Sequence, residues 1–192
     1  FTHDTAAATA TTPVPIILDT DLSTDCDDVA ALALALQLER RGEATLIGVV
    51  HNADLGEGVG GVSSINHYFA RDDVPIGAYT TGHIGHADFG PHPYVDLLVS
   101  SVPGPIHNSS QTLSALEVYK TALNAAADHS VTIASIGFAT NLHALLADAD
   151  GASLVARKVR RLVTMGGWYP RSPTPHAAAE WNFGGCGPTN VC

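Results

Sequence analysis

Positive charge is scarce in this chain: 9 Lys and Arg stand against 19 Asp and Glu, a formal net charge of -10 at pH 7. That deficit argues against a nucleic-acid backbone or an anionic membrane surface as partner and leaves small neutral or cationic ligands open. Long apolar runs are also missing, and no stretch approaches the roughly 20 residues that span a bilayer. Cysteine is rare. Cys26, Cys186 and Cys192 match no zinc-ligand spacing, and an odd number in an oxidising compartment leaves one thiol free or paired with another chain. Internal repeats are absent.

What is present fits one sizeable core, since 192 residues at 45% hydrophobic need no second domain. The opening "FTHDTAAATATTPVP" is small, Thr-rich and Ala-rich and lacks a signal core, so residues 1–14 are expected to form a flexible tail left by processing, ahead of a single α/β domain over 15–192. A secreted, extracellular protein is the expectation. The triplet "NSS" at Asn108 is a glycosylation sequon consistent with it.

"PVPIILD" reads as a buried strand, and "DDVAALALALQLERRG" as a helix with acidic side chains in its first turn, Arg40 and Arg41 at its end and Gly42 as cap. "TLIGVVHN" is a second strand, followed by a Gly-rich turn, a helix over "VSSINHYFAR" and the short strand "VPIGAY". From about Thr80 to Ser110, Gly, His and Pro predict a long loop. Helix, strand, helix and strand then follow in "QTLSALEVYKTALNAAADH", "VTIASIG", "NLHALLADAD" and "RRLVTMGG". The alternation predicts a mostly parallel, doubly wound Rossmann-like sheet with helices on both faces, and ligands of such sheets bind at the carboxyl ends of the strands.

At the first of those ends, "DTDLSTDCDD" places Asp19, Asp21, Asp25, Asp27 and Asp28 within ten positions. Carboxylates this close repel unless protonated, solvated or neutralised, and a hard divalent cation, calcium or magnesium, neutralises them most effectively. The plainer reading is a solvated loop with Asp27 or Asp28 capping the helix. An EF-hand beginning at Asp19 is excluded, because it needs Gly and Glu where Thr24 and Ala30 stand.

Two resemblances follow from these residues. A strand running into "DTDLS" resembles the nucleophile motif of haloacid-dehalogenase-like phosphatases, although no later "GD" motif accompanies it. The fuller match is to the inosine-uridine-preferring nucleoside hydrolase family, whose first strand ends in an Asp-Thr-Asp then Asp-Asp signature. "ILDTDLSTDCDDVAALALAL" resembles a long-loop form of it, and the likeness continues through "GVVHNAD", "DVPIGA", "IGFATNLHALL", "VTMGGWY" and "AAEWNF".

That resemblance implies calcium-dependent hydrolysis of the N-glycosidic bond of ribonucleosides, giving ribose and free base. It implies calcium held by Asp21, Asp28 and the backbone carbonyl of Ile136, with Asp21 also the base that deprotonates metal-bound water. Asp27 and Asn52 would hold the ribose hydroxyls, Glu180 and Asn182 the far side of the sugar, and His83 or His86 would lie in a loop over the substrate. The alternative outside catalysis is a secreted calcium- and sugar-binding protein on the same scaffold.

The chain departs from the family pattern where "LSTDC" replaces a shorter Pro-Gly turn, leaving Asp25 without a role, and where "GGCGPTNVC" follows Asn182. The resemblance covers the family's N-terminal part. A sheet stopped there exposes an apolar edge, so a companion C-terminal fragment or a homo-oligomer is expected to cover it.

Overall fold

The computed structural model describes residues 12–23, 26–53, 56–80, 93–167 and 182. Six strands form one sheet: β1 (Val14–Thr20), β2 (Ala44–His51), β3 (Ile76–Ala78), β4 (Leu113–Ser114), β5 (Val131–Ser135) and β6 (Val159–Thr164). Their order is β4-β3-β2-β1-β5-β6, and every pairing is parallel. Chain order reverses at β1, which lies between β2 and β5. A crevice at the carboxyl ends of the strands is the geometric consequence of such a reversal.

The helices are α1 (Asp27–Arg40), α2 (Gly56–Tyr68), α3 (Pro93–Ser101), α4 (Ala115–Ala125), α5 (Thr140–Ala147) and α6 (Ala149–Lys158). In α1 the buried Leu32, Ala35 and Leu36 repeat at helical spacing and pack with Leu18, Val49 and Ile76 of the sheet. Tyr119 and Leu123 of α4, with Leu145 and Leu154, join Ile17, Val50 and Ile133 on the opposite face. Alternation along each strand thus feeds two cores, and Leu-to-Ala changes in either cost about 2 to 5 kcal/mol. Ser114 caps α4: its hydroxyl accepts from the Glu117 amide while Glu117 reaches back to the Ser114 amide.

Three elements differ from the sequence expectation. α2 begins at Gly56, so the expected Gly-rich turn is helical, and the segment from Gly58 to Asn66 is buried throughout. α3 lies inside the expected long loop, anchored by the buried Val95, which joins the core with Tyr94, Leu98 and Val99. The expected helix "NLHALLADAD" is broken at Asp148, where α6 starts: it runs over "ADGASLVARK", whose residues from Gly151 onward carried no expectation, and Asp148 caps it by accepting from the Gly151 amide. Asn108 of the sequon is exposed and caps a 3-10 turn over Ser109–Gln111.

Candidate active site at the carboxyl end of the sheet

Strand register decides which aspartates turn inward. Asp19 is paired with Ser135 of β5 and Val50 of β2, and its side chain is fully buried on the α4 and α5 face. Three donors converge on it: the Tyr119 hydroxyl at 2.7 Å, the Asn52 amide at 2.9 Å and the Asn141 amide at 3.1 Å. Burial pushes the Asp19 carboxyl up to about 7, against those three hydrogen bonds, which favour the ionised form. Burial likewise pushes the Tyr119 phenol well above its ordinary range, with the Asp19 charge beside it adding to the effect.

Thr20, one residue on, faces the opposite side, where its hydroxyl donates to the buried Asp28 in the first turn of α1. Asp27, its neighbour in the helix, is exposed. Asp21 is half-buried just past the strand, and its position is fixed by what Gly137 leaves free. A Cβ at Gly137 would come within 2.5 Å of Asp21 Oδ1 and 2.7 Å of Asn52 Oδ1. The ends of β1, β2 and β5 therefore bring one carboxylate and one carboxamide together over a glycine that only a hydrogen side chain fits.

Asn52 is fully buried and tied at every polar group. Its amide nitrogen donates to Asp19, its side-chain oxygen accepts from the Phe138 amide at 3.1 Å, and its carbonyl accepts from the Thr140 hydroxyl at 2.8 Å. Asn182, also buried, donates to the carbonyl oxygens of Ile136 at 3.0 Å and Met165 at 3.1 Å. The structure thus gathers Asp21, Asn52, Ile136 and Asn182 at one end of the sheet, with Asp28 and Asp27 at the mouth of α1. Glu180, His83, His86 and Asp25 lie outside the described residues, as do Cys186 and Cys192.

Tyr119 and Asn141 were not singled out in the sequence, and Asp19 was named there as a member of the aspartate cluster without a role of its own. Tyr119 and Asn141 are 100 and 122 residues from Asp19, so no local spacing announces the cluster. The available signal was "DTD" itself, because a carboxylate at an odd position of a buried strand needs donors from the helices behind it.

A hard cation finds suitable donors in kind: two carboxylates, Asp21 and Asp28, and the Ile136 carbonyl, all oxygen. Among the described residues no three His, Cys, Asp or Glu side chains group as a metal site. Backbone and water oxygens would have to complete the coordination.

A doubly wound parallel sheet with buried amides and carboxylates at its switch point defines an α/β protein with a candidate ligand site at that point. More narrowly, the chain belongs to the inosine-uridine preferring nucleoside hydrolase family, whose model matches residues 16–185. Among solved structures it is similar to the type III effector protein XopQ complexed with adenosine diphosphate ribose, with a TM-score of 0.67 and 21% identity, covering 84% of this chain and 45% of that one. The effector protein XOO4466 matches with a TM-score of 0.66 and 22% identity over 83% of this chain and 45% of that one. A plant nucleoside hydrolase, the PpNRh1 enzyme, matches with a TM-score of 0.59 and 20% identity over 81% and 48%. At these identities the likeness is one of fold, and the chain spans about half the length of these structures. No curated protein matches the chain.

Proposed function

We propose that the protein hydrolyses the N-glycosidic bond of ribonucleosides, consuming one water and releasing ribose and the free base. The observation that carries this reading is the Asp21 carboxylate held against Gly137 and the Asn52 amide at the switch point of a sheet belonging to this family. Asp21 takes a proton from the attacking water, and the exposed Asp27 accepts hydrogen bonds from the ribose hydroxyls. As the bond to the base breaks, positive charge develops on the sugar, and the neighbouring carboxylates stabilise it. Asn52 cannot turn away, because its ties to Asp19 and Phe138 hold the amide plane. Asp21, Asp28 and the Ile136 carbonyl would hold a divalent cation, calcium by the chemistry of its donors, which when bound makes a water more acidic.

A ribose-containing ligand is further supported by the structure of XopQ, which is complexed with adenosine diphosphate ribose. An extracellular setting, with glycosylation at the exposed Asn108, belongs to the same proposal. So does a companion C-terminal fragment, or a second copy, packed on β6, where Leu162 and Val163, and Met165 just past its end, are each about half exposed.

The test is release of ribose from inosine and uridine, measured as reducing sugar with and without chelator. The proposal expects release that chelator abolishes and added calcium restores. Ribose or calcium binding without any release would identify a binding protein instead.

A further inference from the structure

His51 closes β2 one residue before Asn52, and its side chain is completely buried. It lies opposite Thr20 in register and shares the α1 and α2 face of the sheet. Its Nδ1 is 3.1 Å from the Ala53 carbonyl oxygen, and its Nε2 is 3.2 Å from the Leu22 carbonyl oxygen. Leu22 directly follows Asp21, and Ala53 directly follows Asn52. One ring therefore reaches the backbone just beyond each of the two side chains that meet over Gly137.

The packing around the ring is shaped for this contact. In α2 a Cβ at Gly58 would come within 2.1 Å of the imidazole Nε2 and 2.5 Å of the Leu22 carbonyl oxygen, so the helix approaches only because position 58 has no side chain. Both of these contacts are to carbonyl oxygens, which accept and never donate, so the ring N–H of either neutral tautomer donates to one of them while the ring packs against the other. The groups facing this side of β2 are Thr20 of β1, Ala78 of β3 and Gly58 of α2, and the buried carboxylate there is Asp28, reached through the Thr20 hydroxyl. Asp19 points to the other face.

We infer that His51 is a positioning residue: a two-point clamp that fixes the loops after β1 and β2 relative to each other and so sets the spacing of Asp21 and Asn52. The geometric part stands by itself, and the catalytic consequence rests on the proposed hydrolysis. Through Leu22 the clamp acts on the base, and through Ala53 on the sugar-side amide. The two contacts are therefore separable by substitution. Asn at position 51 keeps a donor near the place of Nδ1, and Gln keeps one near the place of Nε2. Phe keeps a ring and no donor.

The experiment combines amide hydrogen exchange and kinetics on His51→Asn, His51→Gln and His51→Phe. In His51→Phe the amides of Leu22, which donates to the Thr20 hydroxyl, and of Asn52, which donates to the Thr20 carbonyl, should exchange faster. The Ile136 amide, bonded to the Asp19 carbonyl, should not change.

His51→Asn should loosen the Leu22 side and lower kcat, whereas His51→Gln should loosen the Ala53 side and raise KM. Each shift should be about tenfold, as expected when a reacting group is misplaced by a fraction of an ångström. Wild-type exchange at both amides in His51→Phe would overturn the clamp. Should His51→Phe fail to fold, equal loosening of both loops in the Asn and Gln variants overturns it equally. Altered exchange in a protein that releases no ribose would leave the clamp standing and remove the hydrolase reading.

Discussion

The two ends of the sheet are built from opposite materials. At the carboxyl end Asp19, Asp28, His51, Asn52 and Asn141 are all buried, each held by hydrogen bonds from a different element. At the amino end a hollow of about 500 Å³ is lined mostly by apolar residues, among them Pro13, Pro15, Ile47, Pro75, Val118 and Ala122, with Thr12, Thr121 and Ser130 at its polar edge. The charges near that end are ion pairs close to the surface, Arg71 with Glu39 and Asp73, and Lys158 with Asp128. Burying polar groups costs free energy unless every one is satisfied, and a fold needing only stability would distribute its core like the amino end. Concentrated buried polarity at one end is the physical ground for placing the proposed chemistry there.

The largest expected effect of disturbing this contrast lies in Asp21→Asn. Turnover of inosine should fall by about 10² to 10⁴-fold, the usual contribution of a general base, while the melting temperature stays close to that of the parent. Retained turnover would remove Asp21 from the chemistry.

Next is the pH dependence of stability. Asp19 has its carboxyl raised from 3.8 to about 7 by burial, so the folded chain keeps a proton that the unfolded chain releases in that interval. Its contribution is therefore full below about pH 4 and lost as the pH rises through 7. In chelated protein, denaturant titrations at pH 5 and pH 8 should show the parent losing up to about 3 kcal/mol more than Asp19→Asn over that range. Parallel pH profiles for the two would contradict the account of Asp19.

Tyr119→Phe should cost about 1.5 to 3 kcal/mol, because it removes a buried hydrogen bond to a carboxyl group and leaves the ring in place. Calorimetry decides that value. Smallest is Arg71→Ala at the other end, where partly exposed ion pairs are worth about 1 kcal/mol or less and turnover should not change. A larger kinetic effect there than at Tyr119 would erase the distinction between the two ends.

Much of this architecture was readable in advance, and its gaps have physical causes. Runs such as "PIILD" and "TIAS" between helices with matched end charges announced β1, β5 and the parallel order, because buried strands and dipole-matched helices leave strong local patterns. The start of α2 was hidden, since glycines read as a turn but serve close packing against Leu22 and His107. α3 was hidden by the Gly, His and Pro residues before it. At the candidate site, the placement of Asp21, Asn52 and Asp28 at the carboxyl end of the sheet was legible from one short motif and a family likeness. The Asp19 cluster and the His51 clamp were not, because their partners are supplied by distant segments and by backbone carbonyls, which no side-chain pattern records.

The central claim is that the carboxyl end of the sheet is where a riboside binds, and an amide-resolved NMR titration with inosine tests it most directly. Using Asp21→Asn in the presence of calcium prevents turnover during the measurement. The account predicts shifts centred on Asp21, Leu22, Asn52, Gly137 and Phe138, with Ile47, Val118 and Ala122 unmoved. Shifts centred on Ile47, Val118 and Ala122, or no shifts at millimolar inosine, would contradict it.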